Sequence, residues 1–323
     1  MKRKRKSPVS MGKERLMLLE GAIIGIDLGG TNLRIGTVDE ENRVHSFRRR
    51  DSERIAQAKD PMVELNRTIE EYIKESGIAD VKAISIGVPS SVANDKKTVI
   101  CTTNIRNAFD EPVFKNRNIA KDIEAWFHVP VFVNHDTNNI LLYDMMSHHL
   151  PEDSVVVGIY IGTGVGAAVC IGGRMLEGKD GAAMDVGHIP FYNGKALCSC
   201  GKKGCCECYA SGWRLQEIRR DYFPETPIKE LFIKHGNTRP IREFIYSCAQ
   251  IFAIMATIFN PEAMIAGGGV MEMEGFPRKQ FERAVNENTG RDVMSYGFQY
   301  LYSEDIDSKG VVGAALFARK MMK

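Results

Sequence analysis

With 323 residues, 44% of them hydrophobic, the chain can form one large domain or two medium ones around a substantial core. No run approaches the roughly eighteen uninterrupted apolar residues of a membrane helix, which excludes a membrane partner and leads us to expect a soluble, cytoplasmic protein. The net charge of +2 says little about partners, but residues 1–15 hold seven Lys/Arg against one acid. This stretch lacks the apolar core of a signal peptide and is too polar to fold alone. Residues 1–20 therefore read as a disordered basic arm, ahead of a second start at Met11, rather than as a nucleic-acid contact.

From Gly21 the pattern turns apolar, and AIIGIDLGGTNLRIGTV predicts two short strands joined by a Gly29-Gly30-Thr31-Asn32 turn. Met62, Leu65, Ile69, Tyr72 and Ile73 make a helical stripe ending at Gly77, and KAISIGVP is a buried strand closed by Pro89. A helix with Ile119, Ile123, Trp126 and Phe127 on one face leads to the strand Val131–Val133 and then to Asn134-His135-Asp136. At Val156 the opening motif returns, since IIGIDLGGTNLRIG aligns with VVGIYIGTGVGAAV, placing Tyr160 opposite Asp27. Later come a long helix from Ile241 to Phe259 stopped by Asn260-Pro261, a strand Met264–Ala266 running into Gly267-Gly268-Gly269, and a helix from Gly310 to Met322.

Alternating strands and helices predict layered α/β architecture, and the repeated motif predicts two similar halves whose hairpin turns share a cleft. The expected boundaries are an amino-terminal domain over 21–134 and a second domain over 135–309, with a carboxyl-terminal helix at 310–323 packing back on the first. Small-residue turns such as Gly29-Gly30-Thr31 and Gly162-Thr163-Gly164 expose backbone N–H groups and suit phosphate oxygens. Asp27 ends an otherwise apolar strand and could hold hydrated Mg²⁺ beside them; its alternative is capping local N–H groups. Neither a G-x-x-x-x-G-K-[ST] loop nor a G-x-G-x-x-G turn occurs.

Five of the eight cysteines fall between Cys198 and Cys208, with His188 ten residues upstream. His188, Cys198, Cys200 and Cys205 make a Cys₃His set for structural Zn²⁺, with Gly201 and Gly204 allowing the tight turns. Cys206 or Cys208 could replace Cys205. Cys101, Cys170 and Cys248 read as small hydrophobes, and His148-His149 as the exposed end of a helix.

The order D-x-G-H, nine residues, C-x-C-G-x-x-G-C-x-E, three residues, S-G runs from Asp185 to Gly212. It resembles the signature of the ROK family of sugar kinases and sugar-responsive repressors, which favours Cys205 as the fourth ligand. The resemblance implies two actin-like, ribonuclease H-like domains, ATP and Mg²⁺ as cofactors, and a hexose as substrate. It assigns the phosphates to Gly29, Gly30, Thr31, Asn32, Gly162, Thr163 and Gly164, and adenosine to Gly267, Gly268 and Gly269. By themselves those three glycines could serve close helix–strand packing.

The resemblance also makes Asp136 the catalytic base, in His135-Asp136-Thr137-Asn138 where the family has N-D-x-N; the residue-level alternative is a helix N-cap, and both roles can coexist. It makes Asn104, His135, Asp136, Asp185, His188 and Glu207 the sugar ligands, although the family has Glu where Asp185 stands. DKKTVICTTN, GHIP and GGGVMEMEGFPR resemble the branch acting on D-allose; glucose, fructose and N-acetylmannosamine are the other expected sugars. A homodimer is expected. The rivals are a sugar-sensing repressor, which needs a helix-turn-helix before Ala22, and a nucleic-acid module built on the zinc loop and basic arm, which leaves the paired hairpins unexplained.

Overall fold

The first hairpin forms as antiparallel strands β1 (Ala22–Leu28) and β2 (Asn32–Val38), paired so that Asp27 lies opposite Arg34. The computed structural model describes residues 21–102 and 105–323, so the arm 1–20 and Asn104 lie outside the described residues. Strands β3 (Val44–Asp51), β4 (Val81–Val88) and β5 (Val131–His135) complete a five-stranded sheet of order β3-β2-β1-β4-β5. β2 and β3 are antiparallel to their neighbours, whereas β4 runs parallel to both β1 and β5.

The second sheet repeats this plan. Strands β6 (Val155–Ile161), β7 (Val165–Ile171), β8 (Arg174–Met175), β9 (Ala263–Gly267) and β10 (Gln299–Tyr302) are ordered β8-β7-β6-β9-β10 with the same pattern of directions. The parallel register repeats, while the second hairpin turn is one residue shorter than the first. Asp27 pairs with Arg34 and Gly87, and its counterpart Tyr160 with Gly166 and Gly267.

In each sheet a long helix precedes the fourth strand, and its ends follow local chemistry. Pro61–Ser76 starts behind Asp60, whose carboxylate accepts from Met62 N and Val63 N, and stops at Gly77 with φ of 68°. Arg239–Phe259 stops at left-handed Asn260 before Pro261. Among the described residues this is the one helix long and apolar enough to cross a membrane, and over half of that window is buried within the protein. Its Phe244, Ile245 and Phe252 belong to the second unit's core, where the Phe252 and Phe281 rings meet edge to face at 4.8 Å.

Two compact units result, one of 21–143, 179–181 and 307–323 and the other of 144–178 and 182–306. The division falls within the helix Asp136–Ser147 rather than at 134/135. Its first turns are held by Asn134, whose Nδ2 donates to Asn139 Oδ1 at 2.8 Å, and by Gly313, where a Cβ would come within 1.8 Å of Asn139 O. Beyond Tyr143, Asp144 accepts from Tyr160 and Ser303 of the second unit. Residues 179–181 join the first unit because Asn94 Nδ2 donates to Lys179 O at 2.8 Å and Gly181 packs on the Val92 backbone.

The helix Lys309–Met321 packs on the first sheet, with Val311, Ala315 and Ala318 beside Ile23, Val38 and Ala83. Its close approach requires glycine, because a Cβ at Gly25 would lie 2.1 Å from Val311 O. Gly313→Ala should therefore cost about 1–3 kcal/mol through overpacking. Gly290→Ala, which meets only atoms at 3.9 Å or more, should stay near the parent. Urea unfolding of the two variants measures the difference.

Candidate active site and metal centre

In the first unit β1 delivers Asp27 to the mouth of the Gly29–Asn32 turn. Hairpin register places Arg34 across from it, and Arg34 Nη1 donates to Asp27 Oδ2 at 3.1 Å while Nε donates to Asp307 Oδ1 at 2.9 Å. Arg49 extends the chain, its Nε donating to Asn32 Oδ1 at 2.9 Å and its Nη1 lying 3.5 Å from Asp307 Oδ2. Asp27 is thus partnered by a guanidinium rather than by the local N–H groups a capping role would need. Burial and the nearby Asp136 charge push its carboxyl up to about 6, against the pull of Arg34. Gly310 gives it room, since a Cβ there would sit 2.9 Å from the Asp27 carboxyl carbon.

Strand β5 ends at His135, and Asp136 is the first residue of the following helix. Asp136 Oδ1 accepts from Thr137 N at 2.7 Å and lies 3.1 Å from His135 Nδ1, which in turn is 2.5 Å from Thr137 Oγ1. The partly exposed carboxylate therefore bonds within the first turn of the helix. Asn138 is buried and donates to Asn134 Oδ1 at 3.2 Å. This inward bond holds the start of the helix.

In the second unit the backbone groups around the hairpin turn are bonded to neighbouring stretches. Gly162 N donates to Gly164 O at 3.0 Å, making Ile161 and Val165 a non-hydrogen-bonded pair whose polar groups face outward. Ile161 O accepts from Val270 N at 2.9 Å, and Val165 N donates to Glu207 Oε2 at 2.9 Å. The turn's carbonyls are drawn aside too, with Gly162 O accepting from Gly212 N at 2.7 Å and Thr163 O from Trp213 N at 3.2 Å. Ser211 caps the helix Gly212–Tyr222 that supplies these donors.

Gly268, with φ of 87°, sits against the Ile161 backbone, and its N–H donates to Glu272 Oε1 at 3.0 Å. The glycine run thus packs on the strand end just before the Gly162–Gly164 turn. It continues into turns, and the next helix, Arg278–Asn288, begins later.

His188, Cys198, Cys200 and Cys205 converge, their ligand atoms all lying within 4.8 Å of one another. Cys198 Sγ is 3.6 Å from His188 Nδ1, and Cys200 Sγ is 3.6 Å from Cys205 Sγ. These separations fit a tetrahedral ion with Zn–S distances of about 2.3 Å. All five cysteines from Cys198 to Cys208 are free thiols rather than disulfides. Cys206 turns away, donating to Val186 O at 2.9 Å, and buried Cys208 lies beside Cys198 and Cys205 without joining the four. Burial opposes ionisation of Cys198, but hydrogen bonds from Cys200 and Cys205 outweigh it and bring the thiol down to about 7. Gly201 and Gly204 adopt φ of 87° and 83°, and Gly204 also packs on the Gly194 backbone. The second His188 nitrogen, Nε2, faces Asp185 Oδ1 at 3.8 Å.

The first unit therefore gathers Asp27, Gly29–Asn32, His135 and Asp136, and the second gathers Gly162–Gly164, Gly267–Gly269, Asp185, Glu207 and the Cys/His cluster. Arg34, Arg49 and Asp307 escaped the sequence reading. Arg34 was recoverable from hairpin register; Asp307, 273 residues away, was not. Tyr160 hides a further network, its hydroxyl donating to buried Asp144 Oδ2 at 2.9 Å while Ser303 donates to Oδ1 at 2.7 Å. Burial and the Asp144 charge raise the Tyr160 phenol well above its ordinary range.

If the cluster holds zinc, metal analysis of purified protein should find roughly one ion per chain. Chelation should lower the thermal midpoint and weaken sugar binding, because the four donors cannot hold the loop without the ion. Full activity in protein lacking zinc would end that assignment.

Residues 23–321 match the ROK family. The chain is 27% identical to a glucokinase of Streptomyces coelicolor, covering 93% of this chain and 98% of the relative. It is 25% identical to an N-acetyl-D-glucosamine kinase of Pectobacterium carotovorum, covering 77% and 84%. A ROK family glucokinase from Streptomyces griseus, solved in complex with glucose and AMPPNP, matches with a TM-score of 0.74 at 26% identity, over 93% of this chain and 100% of that one. A ROK family transcriptional regulator, a homolog of the E. coli MLC protein, shares the fold with a TM-score of 0.79 at 22% identity, over 93% of this chain and 78% of that one. With a family match spanning nearly its whole length, the chain belongs to the ROK family.

Proposed function

We propose that this ATP-dependent sugar kinase phosphorylates the primary hydroxyl of a hexose, with D-allose giving D-allose 6-phosphate as the first candidate. D-glucose, D-fructose, N-acetylmannosamine and N-acetylglucosamine are the alternatives. The observation that carries the reading is the pair of hairpin turns at the ends of matching strands, one beside Asp27 and the other, one residue shorter, with the Gly162 and Thr163 carbonyls bonded away. Cytoplasmic action and a homodimer belong to the same proposal.

In this reading the primary hydroxyl gives its proton to Asp136 as its oxygen bonds to the γ-phosphorus, and the bond from phosphorus to the ADP oxygen breaks. Backbone N–H groups of Gly29–Asn32 and Gly162–Gly164 bind the phosphates, and Gly267–Gly269 adenosine. Asp27 is the residue that would hold Mg²⁺, one carboxylate sufficing where water and phosphate complete the shell; the ion neutralises phosphate charge. Asp27 must then exchange Arg34 for the cation. His188, Cys198, Cys200 and Cys205 would hold structural zinc, which shapes the loop. Asn104, His135, Asp185, His188 and Glu207 are assigned to sugar hydroxyls. A sugar-sensing repressor on the same fold would need those ligands but neither a base nor phosphate turns.

Asp136→Asn should lower kcat by about a hundredfold to ten-thousandfold while leaving hexose affinity within a few fold. An ADP-release assay beside calorimetric sugar titration separates the two effects. Near-normal kcat would move the base elsewhere, with Asp27 next in line.

Sugar choice should follow the two departures from the family pattern. The Asp185 carboxylate stops about 1.5 Å short of where Glu would reach, the length of one C–C bond. His135 offers an imidazole, already engaged by Thr137 and beside Asp136, in place of a carboxamide. A misplaced hydroxyl leaves buried polar groups unpaired at about 1–3 kcal/mol each. The parent should prefer D-allose to its C3 epimer D-glucose, and His135→Asn with Asp185→Glu should shift kcat/KM towards glucose. A parent that prefers glucose would sink the allose assignment and leave the kinase standing.

A further inference from the structure

Sequence resemblance assigns Glu207 to a sugar hydroxyl, yet its carboxylate is already engaged elsewhere. Oε2 accepts from Val165 N at 2.9 Å, immediately after the Gly162–Gly164 turn. Two glycines make room for it, since a Cβ at Gly164 would lie 2.4 Å from Oε2 and one at Gly187 3.2 Å away. Val165 N belongs to the outward-facing register at the end of the hairpin, so the β6–β7 ladder gives it no acceptor.

The position of Glu207 is itself fixed from both sides. Cys205, two residues earlier, lies in the Cys/His cluster. Cys206 is anchored by Cys206 N donating to Ile189 O at 2.9 Å and by its thiol donating to Val186 O. The side chain therefore reaches the turn from a rigid base, and a carboxylate seated behind the turn holds its far strand while the Gly212 and Trp213 N–H groups hold its carbonyls.

We infer that Glu207 is a positioning residue for the nucleotide: by binding Val165 N it fixes the Gly162–Gly164 turn in its phosphate-accepting shape, in addition to any contact with sugar. The inference rests on the assignment of that turn to ATP phosphates. It links the metal loop to the nucleotide through one side chain. Removing the acceptor leaves Val165 N unpaired and the turn free to relax, whereas glutamine keeps an oxygen in the same place.

The test is calorimetric titration of the full chain with MgAMPPNP in the absence of any sugar, so that contacts to sugar contribute nothing. Glu207→Ala should weaken binding about tenfold, and Glu207→Gln should stay within about twofold of the parent. Metal content and the far-ultraviolet spectrum, matched to the parent, establish that both variants keep the loop. Unchanged affinity in Glu207→Ala would overturn the inference while leaving the kinase reading intact. Equal weakening in both variants would also overturn it, because glutamine retains the acceptor that the argument requires. A parent that fails to bind MgAMPPNP would remove the nucleotide assignment and this inference together.

Discussion

An antiparallel hairpin leaves polar backbone groups facing outward at every second residue pair, and near the tip of the β6–β7 hairpin each such group must find a partner. The partners are the parts on which the candidate site depends. Val270 N of the glycine run takes Ile161 O, Glu207 of the metal loop takes Val165 N, and the start of the helix Gly212–Tyr222 takes the carbonyls of Gly162 and Thr163. One small turn is thereby wired to two segments distant in sequence, the stretch Glu207–Trp213 and the glycine run at Val270. These bonds, with its glycines, set its shape and draw the Gly162 and Thr163 carbonyls towards the helix start.

The other constraint is close backbone approach. Gly25 admits Val311, Gly313 admits Asn139, and Gly310 makes room for the Asp27 carboxylate. A methyl group at any of these would push the carboxyl-terminal helix off the first sheet or off the acid it packs beside. That helix also brings the neighbouring Asp307, which holds Arg34 and so the charge environment of Asp27. A residue near the end of the chain thus tunes a residue near its beginning.

The repeat explains why the two sheets are alike and where they diverge. Both place a hairpin before a parallel pair in which the matched residue faces a glycine, Gly87 or Gly267, yet the second turn is one residue shorter and Asp27 of the first copy becomes Tyr160 in the second. The first position is a mostly buried carboxyl paired with Arg34. The second is a phenol locked to buried Asp144, suited to holding Gly267 close beneath it, where a Cβ would come within 2.7 Å of the ring.

The sequence by itself determined both hairpins, the capped helices, the Cys/His set and the acid at the end of β5, because each rests on neighbours in the chain: turn glycines, 3.6-residue stripes, ligand spacing. Edge strand β3 escaped, since VHSFRRRD carries charges where alternation would mark a buried face. Only the tertiary structure decided the division inside Asp136–Ser147, the exclusion of Cys206 from the ligand set, and the pairings of Arg34 with Asp307, of Val165 with Glu207, and of Asp144 with Ser303. The last two join residues 42 and 159 apart. A buried donor or acceptor takes whichever partner the packed fold brings within reach, and one-dimensional spacing carries no mark of that choice.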